Sequence, residues 1–341
     1  MINLNFKLNK TTVYAYLVVS CFILSIIFSS YIFLIFSFLF CYEIFNKVRE
    51  SILISFIFSL YFIFLGFDTF KYFVLMFFSI ILISERFKDN PKIILSAYSN
   101  IFLIFLLYLF TLEQKVGDIS NVLNFETRFW PVLSNGEELN PNMIGLLSAI
   151  CAFGYYVNKK IILMIFPLFV LLISQSRSAM LFFVLASFLY SGVKLKNIFY
   201  FLMMLFPFIY FLNNSNIINR FIEDGENGRI ARILFYLPYL KNNYLTGLGY
   251  GEYLVFVKNI GSLDNLFLAI ILVYGIWGVI YLLSLFLIFL KNKKNEDSSL
   301  RLAIFFSFMV LGLFEGSFAF NHLTWVIFAL SFNSFSIKMI K

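Results

Sequence analysis

Charged residues are scarce in this sequence. Only 13% of its 341 residues are Asp, Glu, Lys or Arg, whereas 61% are hydrophobic and the mean hydropathy is +0.90. A soluble chain needs roughly a quarter of its residues charged to stay in solution. The low charge therefore excludes a soluble domain with a large core and indicates an integral membrane protein.

Residues that form disulfides or bind metals are also few. The sequence has one histidine and three cysteines, and Cys21, Cys41 and Cys151 lie inside apolar runs without a partner at metal-ligand spacing. This pattern suggests neither a disulfide framework nor a metal site. We expect these cysteines to be packing residues.

Apolar segments fill most of the chain. A helix of about 20 apolar residues crosses a bilayer, and such segments predict an all-α, polytopic integral membrane protein, a single domain over residues 1–341 with about 12 transmembrane helices. The first two spans are predicted to form a hairpin, because together they are too long for one crossing. The predicted spans are 12–28, 31–45, 51–66, 70–84, 93–111, 142–157, 161–175, 178–192, 198–212, 264–290, 300–316 and 322–337.

Lysine and arginine are distributed differently over the two alternating sets of loops. Most lysines lie at the termini and in short loops, which the positive-inside rule places in the cytoplasm together with both termini. Arginine differs from lysine in offering a planar fork of donors that holds phosphate oxygens in pairs, so its enrichment outside suggests a function there. The arginines on the outer side are Arg128, Arg177, Arg220, Arg229 and Arg232.

Two predicted outer loops are long, residues 112–141 and 213–263. The second is predicted to contain short amphipathic helices, one of which carries Arg229, Arg232 and Tyr236 on one face. Such a helix at the membrane surface would turn its arginines toward an anion. The alternative is that these arginines only extend to the edge of the bilayer.

Arg177 favours the anion interpretation. It lies in SQSRSAM, a junction between predicted spans that is too short for a solvated loop. A charge at such a place is expected to face the bundle interior or a partner anion.

Three stretches of the sequence resemble the bacterial O-antigen polymerases (Wzy-type) and the related O-antigen ligases. They are LLISQSRSAMLFFVLASFLYSG at 171–192, GRIARILFYLPYLKNNYLTGLGYGEY at 228–253 and LDNLFLAIILVYGIWGVIYLL at 263–283. They follow the family's order, with the long outer loop before the last three helices. The resemblance implies a GT-C-like glycosyltransferase that needs no metal or cofactor and acts with inversion.

The resemblance also implies a substrate and a cellular location. The enzyme would transfer the growing O-antigen glycan from undecaprenyl diphosphate to the distal sugar of an incoming undecaprenyl-diphosphate-linked repeat. It would lie in the bacterial inner membrane with its active site on the periplasmic side. Its partners would be the lipid-linked oligosaccharide, membrane lipid and, as one option, a regulator of polysaccharide chain length.

The resemblance assigns roles to particular residues. Arg177, Arg229 and Arg232 match basic positions of the family and would bind the diphosphate, with Arg220 as a further candidate. Asp264 stands where the ligases have a histidine, so it would be the general base and favours a polymerase. Its alternative role is a helix cap.

Other polar residues are secondary candidates. A carboxylate inside a span is costly, so Glu315 and His322 form a second acid/base pair, although a lone histidine can also be structural. Four further residues are candidates for sugar binding: Tyr250, Glu252, Asn265 and Glu137. The alternative role of the glutamates is that of solvated charges, and that of the tyrosine is to mark an aromatic belt at the membrane interface.

Two other functions stay open at this stage. One is a ligase that transfers the glycan to lipid A core, and the other is a flippase or transporter of the same lipid-linked oligosaccharide. A transporter is expected to show internal repeats and ionisable residues near the middle of the bilayer, and the sequence has neither. The net charge of +8 is spread over short loops, so we expect no nucleic acid partner.

Overall fold

The structure is a computed structural model, and it describes residues 9–28, 30, 32–45, 48, 52, 56, 59–192, 226–261, 263, 265–291, 297–314 and 322–332. Within these ranges the regular secondary structure is helical. The β interactions found there are two isolated bridges in the loop 112–141, Gln114 with Pro131 and Val132 with Glu138. The all-α prediction is confirmed for the described residues.

The helices follow the apolar segments of the sequence. Two 3₁₀ helices, Tyr42–Ile44 and Tyr61–Leu65, lie between the early helices. The α-helices of the described ranges are α1 (Lys10–Ile27), α2 (Ile32–Leu39), α3 (Phe67–Arg86), α4 (Pro91–Leu109), α5 (Ile119–Leu123), α6 (Pro141–Val157), α7 (Ile161–Ser174), α8 (Arg177–Ser191), α9 (Glu226–Asn243), α10 (Tyr250–Ile260), α11 (Leu266–Tyr274), α12 (Ile276–Lys291), α13 (Ser298–Gly312) and α14 (His322–Ala329).

Three of these helices, α1, α3 and α4, are long and apolar enough to cross a membrane. Four more, α6, α7, α8 and α13, are apolar but shorter. This set of helices is consistent with a helical membrane protein. The predicted span 198–212 lies outside the described residues, and only part of 51–66 is described, including the 3₁₀ helix Tyr61–Leu65.

The first two predicted spans are separate helices. The backbone of Phe28 caps the end of α1, and α2 begins four residues later and packs against α1. This arrangement agrees with a hairpin and not with one long helix.

The prediction of one continuous span over 264–290 is wrong, because the helix is broken at Gly275 between α11 and α12. Gly275 has φ +61° and ψ −146°, a conformation that residues with a side chain rarely adopt. A Cβ atom at Gly278 would lie 2.8 Å from the carbonyl oxygen of Ile270. In a straight helix these residues would be about 12 Å apart along the axis, so α12 turns back sharply against α11.

The distant segment 245–249 stabilises this break by pairing with the backbone on both sides of it. The N–H groups of Leu248 and Gly249 donate to the carbonyl oxygens of Leu272 (2.8 Å) and Val273 (3.0 Å), and the N–H of Ile276 donates to the Leu245 oxygen (3.3 Å). Polar backbone groups that the break releases from the helix are thereby satisfied inside the protein, as an apolar environment requires.

One end of the bundle is marked by ion pairs. Glu43 binds Lys10 at the start of α1 and Arg86 at the end of α3, where Arg86 Nη1 lies 3.2 Å from Glu43 Oε2. Lys92 Nζ, at the start of α4, lies 2.6 Å from Asp297 Oδ1, just before α13. We call this end the Lys10 end.

The opposite end is defined by the antiparallel packing of α8 on α13. The rings of Phe182 and Phe308 are 4.9 Å apart, and Leu189 lines the same cavity as Arg301. This register places Arg177, the first residue of α8, level with the last residues of α13. We call this end the Arg177 end. Which side of a membrane each end faces stays a prediction.

Candidate functional site

The loop 112–141 is anchored at the Arg177 end by Arg128. Its Nε donates to the carbonyl oxygen of Ser174 at 3.0 Å, and its Nη2 donates to Oδ1 of Asn142 at 2.5 Å. The backbone N–H of Phe129 adds a bond to the Ile173 oxygen at 3.1 Å. The loop therefore joins the start of α6 to the end of α7.

Arg177 is held at the start of α8 by close packing of the preceding junction. The Ser176 hydroxyl accepts from the N–H of Ala179, which makes Ser176 the N-cap, and a Cβ at Gly145 would lie 2.5 Å from Ser176 Cβ. A cation in the first turn of a helix adds to the positive end of the helix dipole and does not offset it. The partly buried Arg177 side chain and the helix start thus combine into one positive region suited to an anion.

Arg232 lies on the turn that follows α10. A Cβ at Gly261 would be 3.3 Å from Arg232 Nη1 and 3.5 Å from its Cδ. Tyr236, one turn later in α9, donates from its hydroxyl to the Gly261 carbonyl oxygen at 2.9 Å. The two side chains therefore share a face of α9, as the sequence predicts, and that face is turned toward Gly261.

Tyr236 is fully buried, and Arg232 is the charged group near it. Burial raises the pKa of Tyr236, and the nearby positive charge of Arg232 partly counteracts that increase. The rings of Tyr253 and Phe256 from α10 pack on Tyr236, each with centroids 6.2 Å away. The phenol therefore stays protonated and acts as a hydrogen-bond donor.

Asn265 connects this turn to α13. Its Oδ1 accepts from the N–H of Leu268 at 3.0 Å and so caps α11, while its Nδ2 donates to the Leu313 carbonyl oxygen at 3.4 Å. The side chain of Leu266 packs on Gly312, where a Cβ would lie 2.9 Å from Leu266 Cδ2. The start of α11 is thus fixed against the end of α13, level with Arg177.

Three predicted site residues therefore come to the same end of the bundle: Arg177 at the start of α8, Asn265 at the start of α11, and Arg232 on the chain that leads into α11. The structure shows how they are connected, through Gly261 and the end of α13. It also shows that the Asn265 side chain already has structural partners. Its sugar-binding role stays a prediction.

Tyr250 has a packing role in the structure. Its N–H donates to Oγ1 of Thr69 at 2.7 Å, and its ring centroid lies 4.1 Å from that of Tyr72 in α3. Only 6% of the residue is exposed, which leaves little surface for a sugar ring. Glu252 and Glu137, by contrast, are exposed, on α10 and in the loop 112–141.

The remaining candidates fall wholly or partly outside the described residues. Asp264, Glu315 and Arg220 are not among them, and for Arg229 and His322 only the backbone, in α9 and α14, is described. Trp325, one turn after His322, contacts the ring of Tyr72 at 6.4 Å, and Tyr72 also contacts Tyr250. The start of α14 therefore lies near α10, at the end of the bundle that contains the other candidates.

Sequence reasoning did not identify the structural role of the glycines in YLTGLGYG. A Cβ at Gly247 would lie 2.3 Å from the Val273 carbonyl oxygen, and one at Gly249 would lie 2.5 Å from that of Leu65. Both glycines have positive φ, +81° and +84°. They permit close approach of the backbone to the α11–α12 break and to the 3₁₀ helix Tyr61–Leu65 that precedes α3. The spacing of the glycines alone does not distinguish this role from that of a nucleotide-binding loop.

The described residues contain no group of three or more His, Cys, Asp or Glu side chains able to hold a metal ion. Arginines, helix starts and amide groups form the candidate site within those residues, and they suit binding of an anion through charge and hydrogen bonds. No protein-family model, curated protein or solved structure matches this chain.

Proposed function

We propose that this protein polymerises lipid-linked O-antigen repeat units in a bacterial inner membrane, as the resemblance of its three motifs implies. The observation that carries the proposal furthest is the position of Arg232 on Gly261, in the turn that leads to Asn265 and the end of α13. Arg177 starts α8 at the same end. Two arginines from distant parts of the sequence can thus serve one substrate.

The chemistry needs such an arrangement. A hydroxyl of the distal sugar of the incoming repeat attacks the anomeric carbon of the donor glycan, and the bond from that carbon to undecaprenyl diphosphate breaks. Negative charge accumulates on the leaving diphosphate, and arginines that are already oriented stabilise it more in the transition state than in the ground state. Arg177, Arg229 and Arg232 take this role in the proposal.

A general base accepts the proton of the attacking hydroxyl. We assign it to Asp264, because this residue directly precedes Asn265, whose position is fixed at the end of α13. Glu315, two residues after Leu313 in the sequence, and His322 at the start of α14 form the second choice. The sugar-binding assignments favour the exposed Glu252 and Glu137 over the buried Tyr250.

The topology is part of the proposal: about 12 spans in a GT-C-like arrangement, both termini in the cytoplasm, and the Arg177 end in the periplasm. The up-and-down order of α1, α3, α4, α8 and α13 between the two ends supports it. Single cysteines at Lys10 and Lys115, labelled with a membrane-impermeant maleimide in intact spheroplasts, test it. Labelling of Lys115→Cys alone supports the orientation, and labelling of Lys10→Cys alone would reverse it.

The deciding experiment is reconstitution with an undecaprenyl-diphosphate-linked repeat unit, without nucleotide sugar or ATP, followed by separation of the products by size. A ladder spaced by one repeat would establish polymerisation. Arg232→Ala should reduce its rate by about 10²–10³, the usual effect of removing one group that stabilises transition-state charge.

The matched control is Lys241→Ala. Lys241 is an exposed cation of the same helix, and at about 100° per residue it falls on the face of α9 opposite Arg232. Equal losses in the two variants would contradict the assignment of Arg232. Products that form only when lipid A core is added would identify a ligase, and movement of the lipid between leaflets without any product would identify a flippase.

A further inference from the structure

A cavity lies at the Lys10 end, away from the arginines of the proposed active site. Its volume is about 200 Å³, whereas an ordered water needs only about 10–15 Å³. Within the described ranges, both polar and apolar residues line it: Ser298, Ser299, Arg301 and Ser331, and Leu189, Phe289 and Leu302.

Arg301 is the buried cation of this cavity, with only 3% of its surface exposed. Its Nη1 donates to the carbonyl oxygens of Leu330 (3.1 Å) and Phe332 (2.5 Å), and its Nη2 donates to that of Lys88 (2.6 Å). These acceptors are neutral, so they orient the guanidinium without cancelling its charge. Its Nε is buried and has no hydrogen-bond partner among the described residues.

The start of α13 faces the same cavity and lacks a side-chain cap. Asp297 occupies the N-cap position with φ +63°, but its side chain accepts no bond from the first turn of α13. It binds Lys92 Nζ at 2.6 Å instead. The first N–H groups of the helix therefore have no side-chain acceptor from their own cap, and the helix dipole makes this point attractive to an anion.

Ser331 supplies another donor to this cavity. It is 1% exposed, it lines the cavity, and its hydroxyl has no hydrogen-bond partner among the described residues. A buried hydroxyl without a partner is costly. Arg301 and Ser331 therefore both line the cavity, and each has one buried donor without a partner among the described residues. A phosphate oxygen accepts hydrogen bonds from donors of this kind.

Two neighbouring carboxylates do not remove the preference of the cavity for an anion. Asp89 and Asp297 are close enough to interact electrostatically with Arg301. Asp297 is paired with Lys92, and Asp89 is exposed, so solvent screens its charge. Neither carboxylate belongs to the described residues that line the cavity.

We infer that this cavity binds the phosphate group of an anionic membrane lipid. The phosphate would accept from Arg301 Nε, the Ser331 hydroxyl and the first N–H groups of α13, while lipid chains contact Leu189, Phe289 and Leu302. The apolar residues of the lining are the reason to favour a lipid over a free phosphate. Basic cavities between helices at the end of a membrane bundle, where headgroups lie, suit such ligands.

The test measures lipid retention on the full chain. The protein is placed in nanodiscs of phosphatidylcholine with a minor fraction of phosphatidylglycerol, and native mass spectrometry identifies the lipid that stays bound. The informative variant is Ser299→Asp. An acidic residue in the first turn favours the helix, so the fold is kept, but its carboxylate takes the place of the phosphate at the helix start.

The control is Ser120→Asp, the same change in the first turn of α5, which is not part of the cavity. Thermal unfolding in pure phosphatidylcholine verifies that both variants are folded. We expect the wild type and Ser120→Asp to retain phosphatidylglycerol and Ser299→Asp to bind it about tenfold more weakly, as expected for the loss of one charge-assisted hydrogen bond.

Equal retention of phosphatidylglycerol by all three proteins would overturn the inference. Retention of phosphatidylcholine in equal measure would overturn the preference for an anion. Inorganic phosphate that raises the melting temperature of the wild type as much as phosphatidylglycerol, but not that of Ser299→Asp, would overturn the lipid assignment. None of these readouts depends on polymerase activity.

Discussion

The hydroxyl of Tyr236 donates a hydrogen bond to the carbonyl oxygen of Gly261 at 2.9 Å, which joins the middle of α9 to the residue that ends α10. Arg232 lies one turn earlier on the same face, against the same glycine. The position of the arginine is therefore coupled to this bond. This hydrogen bond, together with the ring contacts of Tyr236 and Tyr239 with Phe256, holds α9 against α10 and the turn that follows it.

Replacing Tyr236 with phenylalanine should lower the unfolding free energy of the protein. It should also slow glycan polymerisation without abolishing it. The loss of one hydrogen bond costs roughly 1 kcal/mol of unfolding free energy, and the freed end of α10 lets Arg232 shift. Denaturation in nanodiscs and the rate of ladder formation measure the two effects. Tyr239→Phe is the control. Tyr239 lies on the same helix as Tyr236, and its ring packs on Phe256 of α10 with centroids 4.8 Å apart. Equal effects of both variants would contradict the role of the Tyr236 bond.

The contribution of Tyr236 to stability should depend on pH only in the alkaline range. Burial raises the pKa of Tyr236 above its ordinary value of about 10. When folding raises the pKa of a group, its contribution to the stability of the folded state is complete below the pKa of the unfolded state. That contribution is lost as the pH rises through the pKa of the folded state. The difference in melting temperature between wild type and Tyr236→Phe should thus stay constant through neutral pH and shrink above about pH 10. A decrease near neutral pH would contradict this account.

Gly261 and Gly251 should respond in opposite ways to alanine. Gly261 has φ +99°, where a Cβ is strained by about 1–2 kcal/mol, and that Cβ would lie 3.3 Å from Arg232 Nη1. Gly251 lies inside α10 with no atom within 4 Å of a Cβ position, so alanine should stabilise its helix by up to about 1 kcal/mol. We expect Gly261→Ala to lower both the melting temperature and the polymerisation rate, and Gly251→Ala to lower neither. A neutral Gly261→Ala would show that Arg232 does not depend on this contact.

Local patterns in the sequence predict much of this fold. Apolar runs locate most of the helices, their combined length favours the hairpin of α1 and α2, and the helical period places Arg232 and Tyr236 on one face. Each of these inferences depends on residues that are close in the chain. Three of the candidate site residues, Arg177, Arg232 and Asn265, lie at the same end of the bundle, and their role in a site stays a prediction.

Contacts between distant segments were not predictable in this way. The break at Gly275 falls within an uninterrupted apolar run, and the groups that stabilise it, the N–H groups of Leu248 and Gly249, are more than twenty residues away. Tyr250 illustrates the same point, since its sequence neighbourhood suits a sugar platform but its ring is buried against Tyr72 in α3. Such pairings are decided by tertiary packing, which a single sequence does not display.

The break between α11 and α12 should be intolerant of a side chain at Gly275. A Cβ there would lie 2.5 Å from the Leu245 carbonyl oxygen, and the φ of +61° adds conformational strain. Gly136 is the matched control, with φ +81° but no atom within 4 Å of its Cβ position. Both alanine variants carry a cost of about 1–2 kcal/mol from positive φ, so any further loss of unfolding free energy in Gly275→Ala measures the contact with segment 245–249. Equal losses in the two variants would mean that segment 245–249 can move away from Gly275 without a cost in free energy.

Arg128 should be required to hold the loop 112–141 on the bundle. Its removal leaves the buried Ser174 carbonyl oxygen and the Asn142 side chain without this donor, at a cost of roughly 1–3 kcal/mol. Limited proteolysis in nanodiscs should then cut the loop faster in Arg128→Ala than in the wild type. Arg128→Lys should restore little, because an ammonium does not reproduce the guanidinium fork that reaches both acceptors.

Lys115→Ala is the control for this loop. Lys115 forms an ion pair with Glu138 and lies over the Trp130 ring, but 39% of its side chain is exposed. Exposed ion pairs contribute about 0–1 kcal/mol, so its loss should barely change the rate of cleavage. If Lys115→Ala released the loop as readily as Arg128→Ala, the loop would be held by its surface charges. Its attachment to α6 and α7 through Arg128 would then be secondary, and a charge-screening salt concentration would be expected to release it as well.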